Sequence, residues 1–78
     1  MAADPSQVVV SAGATPDAVR VHHRALPELQ ADGESPPVAA RNLEQDLVRE
    51  IDTAADELHR EVLTKALDDV RAFLGPVS

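Results

Sequence analysis

The sequence predicts a small α+β domain, an antiparallel sheet of two or three strands covered by one helix and followed by a second, C-terminal amphipathic helix. Three observations carry that expectation. Val19, Val21 and His23 fall on one side of an extended chain, and Arg20, His22 and Arg24 on the other, which is the period-2 signature of a half-buried strand. Ser35 followed by Pro36 reads as an N-cap with proline at the first helical position. From there Leu43, Leu47 and Ile51 recur every four residues, as one face of a helix must.

Taken in order, residues 1–6 are small, polar and proline-bearing and are expected to be disordered, leaving 7–78 as a single domain. Val8-Val9-Val10 is a β-branched run suited to a first strand. Residues 11–17, SAGATPD, can turn the chain back, so a hairpin between 7–12 and 18–25 is expected. A short helix starting at Thr15-Pro16-Asp17 is the competing reading. It is disfavoured because Val19, Val21 and the two histidines are poor helix formers. Pro27 is expected to end or divert the second strand, residues 28–32 to add a short third one, and Ala31 to Glu34 to supply the turn.

No glycine or proline lies between Val38 and Leu74. A single helix over 38–74 would be about 55 Å long. At ~100° per residue, however, Leu43, Leu47, Ile51, Ala54 and Leu58 cluster more than a quarter-turn from Leu63, Ala66, Leu67, Val70, Phe73 and Leu74. A break near 52–56 resolves the mismatch and gives helices over about 36–52 and 55–74. Thr53-Ala54-Ala55-Asp56 then resembles a capping box. Gly75-Pro76 stops the second helix. Leu43, Leu47 and Ile51 should pack against Val19 and Val21, with Leu26 and Leu29 at the edge.

Seventy-eight residues allow one domain, and a chain this short buries only roughly 60% of its unfolded surface. Cysteine is absent, and Phe73 is the only aromatic residue, so disulfides and thiolate metal sites are excluded. Fourteen acidic against seven basic residues give a net charge of −7, which opposes general binding to nucleic acid or to an anionic membrane. No apolar run approaches the ~20 residues of a membrane span. The start MAADPSQ has neither the basic region nor the apolar core of a secretory signal. A cytoplasmic protein is expected.

Residues 18–52 resemble the N-terminal domain of HicB-type antitoxins, on Leu26-Pro27-Glu28 at its LP turn, Gly33-Glu34-Ser35 at its G-[DE]-[ST] step, and Ala39, Asn42 and Leu43 in its helix signature. The resemblance implies a three-stranded antiparallel sheet with a helix laid across one face, a partial RNase H-like or double-stranded-RNA-binding-like unit. It also implies binding to a toxin protein. The chain departs from the family where His22-His23 and Glu28 stand in place of an aromatic residue and a glycine. Family members also carry a C-terminal DNA-binding segment. Here residues 55–74 offer only Arg60, Lys65 and Arg71 as basic residues, too few for operator recognition.

No catalytic, cofactor-binding or metal-ligating set is expected. Adjacent histidines in a strand face opposite ways, so His22-His23 reads as one ring beside the core and one in solvent. His59 has Asp56 one helical turn before it but no third ligand at metal spacing. The helical carboxylates read as solvated faces with local pairing, such as Asp46 to Arg49. What remains is a non-enzymatic interaction protein for a basic partner, or an accessory or homo-oligomerising subunit. The expected partner interface, a two-fold dimer contact, is the stripe Leu58, Val62, Leu63, Ala66, Leu67, Val70, Phe73 and Leu74. Lys65, Asp68, Asp69 and Arg71 are placed on its outer side.

Overall fold

The computed structural model describes residues 3–75. A 3-10 turn at Pro5–Gln7 leads into strands β1 (Val8–Ala12), β2 (Val19–His23) and β3 (Leu26–Gly33), and then into helices α1 (Pro36–Thr53) and α2 (Glu57–Leu74). The three strands form one antiparallel sheet in the order β1-β2-β3. The molecule is therefore α+β, as the hydrophobic periods predict.

The expected hairpin forms, and its register sets Val10 opposite Val21 and Ala12 opposite Val19. β3 differs from expectation. It runs for eight residues rather than over 28–32, and Leu26-Pro27 opens it instead of ending β2. Proline is tolerated there because β3 is an edge strand, where a missing N–H costs no ladder bond. Ala31, Asp32 and Gly33, expected in the turn, complete the strand. The chain reverses instead at Glu34-Ser35. A register shift between His22 and His23 brings His23 opposite Leu26, and both are buried.

α1 packs on β2 and β3, and α2 packs on α1 while reaching the N-terminal turn and β1. Val21, Leu43, Leu47, Leu63 and Val70 are the largest apolar side chains fully enclosed between them. Leu43 and Leu47 are thus buried as predicted, but Ile51, expected beside them, is only partly buried at the margin with Leu29, while Leu26, expected at the edge, lies in the core. Close approach of α1 to β3 depends on small residues. A Cβ on Gly33 would sit 2.4 Å from the backbone nitrogen of Ala39, and Ala39 and Ala40 are fully buried. Asn42 Nδ2 donates to the Asp32 carbonyl at 2.8 Å. Gly33, Ala39 and Asn42 therefore clasp the start of the helix to the end of the strand.

The helical half is broken, which excludes a single helix over 38–74. Ala54 leaves the helical region with φ −68° and ψ 122°. The cap of α2 is Asp56, whose Oδ1 accepts the Leu58 N–H at 3.1 Å. Thr53, expected as the cap, belongs to the last turn of α1, and its hydroxyl donates to the Arg49 and Glu50 carbonyls. α2 ends at Gly75, which takes φ 94°, a value that only glycine adopts at low cost.

The N-terminal expectation is also corrected. Residues 1 and 2 lie outside the described residues, but Asp4 caps the turn at Pro5–Gln7, and Arg24 N–H donates to the Gln7 carbonyl at 3.0 Å. Residues 4–6 are therefore part of the domain.

Candidate functional site

The densest polar cluster is buried, and it joins four parts of the chain. Asp69, on α2, has no exposed surface. Its Oδ1 accepts the Asp4 backbone N–H at 2.8 Å and the Lys65 ammonium at 2.7 Å. Its Oδ2 lies 2.7 Å from His23 Nε2. The other ring nitrogen of His23, Nδ1, accepts the Ala25 N–H at 3.0 Å. That bond fixes the tautomer, because Nδ1 must keep its lone pair and Nε2 must carry the hydrogen given to Asp69. Every atom of the cluster is thus satisfied, as a buried polar network requires.

Burial by itself would raise the Asp69 carboxyl. The Asp4 N–H, Lys65 and His23 overcome that and bring it from 3.8 down to about 2. An imidazole held by a carboxylate is the arrangement of a general base, but a base needs its second nitrogen free. Here Nδ1 is engaged by backbone, and His23 is only 5% exposed. The geometry serves as a staple: it ties the N-terminal turn, β2, the β2–β3 turn and α2 together.

Sequence reasoning placed Asp69 on the outer side of α2, and the structure corrects this. A signal was nonetheless present. His23 shares the inward side of β2 with Val21, and an inward imidazole needs a partner. Asp69 lies on the flank of the apolar stripe, with Lys65 four residues before it.

The opposite face of the sheet carries the outward residues of the strands. Arg20 Nε donates to Asp32 Oδ1 at 2.8 Å, and its Nη2 to Oδ2 at 3.3 Å. This hydrogen bond holds the Asp32 carboxyl below its ordinary value. His22 lies between Val9 and Gln30 in register, with its Nδ1 shielded and without a partner among the described residues. The two adjacent histidines thus face opposite ways, as strand geometry dictates, and do not converge on one point. No group of three His, Cys, Asp or Glu residues that could hold a metal occurs among the described residues. His59 stays exposed on the first turn of α2.

The expected interface stripe is divided by the fold. Leu63, Ala66, Leu67 and Val70 are buried within their own chain, because α2 folds back over α1 and the N-terminal turn. These four are unavailable to a second copy. Phe73 and Leu74 are half-buried against the same core. Leu58 at 69% and Val62 at 39% remain exposed. Around them stand the exposed carboxylates Asp56, Glu57 and Glu61. The nearby cations are committed elsewhere: Arg60 Nη2 donates to the Ala54 carbonyl at 3.0 Å, and Lys65 binds Asp69. A shallow crevice of about 360 Å³ opens between Glu57, Arg60, Glu61, Thr64, Lys65 and Asp68. All six belong to one helix, so no second element converges on it as a ligand pocket requires. Among the described residues no helix is long and apolar enough to cross a membrane.

No family model, no curated protein and no solved structure matches this chain.

Proposed function

We propose that the chain is a non-enzymatic, antitoxin-like binding protein of the cytoplasm, HicB-like in fold, whose partner is a small basic protein. The observation that carries the reading is the first half of α2. Leu58 and Val62 are exposed apolar side chains set among Asp56, Glu57 and Glu61, while Arg60 and Lys65 are occupied by internal contacts. An apolar centre with a rim of carboxylates that make no ion pair among the described residues suits a partner that offers an apolar anchor ringed by lysine and arginine. The resemblance of residues 18–52 to HicB-type antitoxins supports the same class of partner, an RNA-cleaving toxin being a basic protein.

The test is direct binding to the product of a neighbouring reading frame that encodes a small basic protein. Titration calorimetry should give a complex whose affinity falls as salt rises. Glu57→Lys with Glu61→Lys should weaken it at least ~10-fold, an effect of roughly 1.4 kcal/mol, while leaving the fold intact. Absence of binding at low salt, or binding indifferent to both charge reversals, would sink the reading.

A further inference from the structure

β1 is an edge strand, and its hydrogen-bonding groups can be assigned one by one. Gly13 N–H donates to the Ala18 carbonyl and Arg24 N–H to the Gln7 carbonyl, each at 3.0 Å. In an antiparallel ladder, bonded pairs alternate with non-bonded ones. With Val9 opposite His22 and Ser11 opposite Arg20, residues 9, 11 and 13 direct their amides toward β2, while Gln7 turns only its carbonyl there and gives its N–H to the Asp4 carbonyl. Val8, Val10 and Ala12 direct theirs outward. The Val8 N–H is taken by the Pro5 carbonyl, so the N-terminal turn closes that end of the edge. Besides the Val8 carbonyl beside that turn, the N–H and C=O groups of Val10 and Ala12 remain, without a partner among the described residues.

These four groups form a self-complementary set. We infer that β1 pairs with β1 of a second copy about a two-fold axis at Ser11, with Val10 opposite the partner's Ala12. Each Val10–Ala12 pair exchanges two bonds, so the junction makes four and uses the N–H and C=O of both residues without disturbing the Val8–Pro5 contact. The result is a six-stranded sheet in the order β3-β2-β1-β1-β2-β3.

Three further observations favour a second copy as the occupant. Val8–Ala12 carries no charge in a chain of net charge −7, so copies meet here with the least repulsion. Val10 lies on the core side of the sheet, opposite the buried Val21, yet it is 44% exposed. The partner strand would cover it. The chain that runs alongside beyond Ala12 is Gly13-Ala14, small enough to pass the N-terminal turn of the other copy. The β3 edge, by contrast, carries Pro27 and Glu28, both of which obstruct strand addition.

The test uses the full chain. Sedimentation over a micromolar to millimolar range should show a dimer at twice 8.3 kDa, and the Val10 and Ala12 amides should gain hydrogen-exchange protection as the dimer forms. Ala12→Pro removes an outward N–H and no bond to β2, so it should raise the dimer dissociation constant at least ~10-fold while circular dichroism stays native. Val9→Pro, which breaks the β2 ladder, is the control for misfolding. A folded monomer with freely exchanging Val10 and Ala12 amides overturns the proposal, and so does a dimer that survives Ala12→Pro. A monomer in which those amides become protected only when an unrelated valine-rich peptide is added assigns the edge to a foreign strand, and likewise overturns self-pairing.

Discussion

Asp69 concentrates much of what single residues do in this domain. Its carboxylate is enclosed and holds three donors, two from distant parts of the chain and one, Lys65, from the preceding turn of its own helix. Removing one member of such a buried set leaves the others desolvated and unpaired, at a cost of about 3–5 kcal/mol. Asp69→Ala should therefore unfold a domain whose total stability is on the order of 5 kcal/mol, as a collapse of the urea transition. The pH dependence has a defined sign. The folded-state carboxyl is lowered from 3.8 to about 2, so its contribution, about 2 kcal/mol, is complete above pH ~4. It is lost as pH falls toward 2. Replacing Asp69 with Asn should flatten stability against pH across that window, and an unchanged acid limb would refute the assignment. Gly33 is the second decisive residue. A Cβ there meets backbone rather than a movable side chain, so Gly33→Ala should cost about 1–3 kcal/mol, read from the thermal midpoint.

At the scale of elements, α2 divides its apolar residues between core and surface. Leu63, Ala66, Leu67 and Val70 cover α1, whereas Leu58 and Val62 extend beyond the covered surface. Leu67→Asp should unfold the monomer, since it places a charge in an enclosed site. Leu58→Ser should change stability by no more than about 0.5 kcal/mol and act only on binding. Equal effects of the two, measured by urea unfolding, would show that the stripe is not divided in this way. On α1 the burial is deepest in the middle of the helix, at Leu43 and Leu47, with Ile51 only partly covered. Leu47→Ala should cost about 2–5 kcal/mol, because Leu47 is fully enclosed against the sheet.

For the whole molecule, the N-terminal segment closes the fold. The Asp4–Asp69 bond spans 65 residues of sequence and joins the start of the chain to its last helix. Deleting residues 1–7 would strip one donor from a buried carboxylate and uncover the edge of the core. Stability should fall by about 1–3 kcal/mol, read as a lower urea midpoint with the sheet and helices still present at low denaturant. An unchanged midpoint would mean that the segment is peripheral.

The period-2 alternation of Val19, Val21 and His23 determined the second strand, and the four-residue recurrence of Leu43, Leu47 and Ile51 determined the first helix and the face it buries. Both are local: a side chain's direction in a strand or helix follows from its position along the element. The break between the helices was legible for the same reason, because two apolar stripes out of phase cannot share one straight face. The extent of β3 was not, because Ala31-Asp32-Gly33 reads as turn chemistry until α1 is seen to need the bare Gly33 beside Ala39. Asp69 was misplaced because a carboxylate's default is solvent. Only the arrival of His23 and Asp4 from separate segments, added to Lys65 on the same helix, makes its burial affordable. The division of the α2 stripe was decided in the same way, since a helical period shows that a face is apolar but not whether its own chain or another covers it.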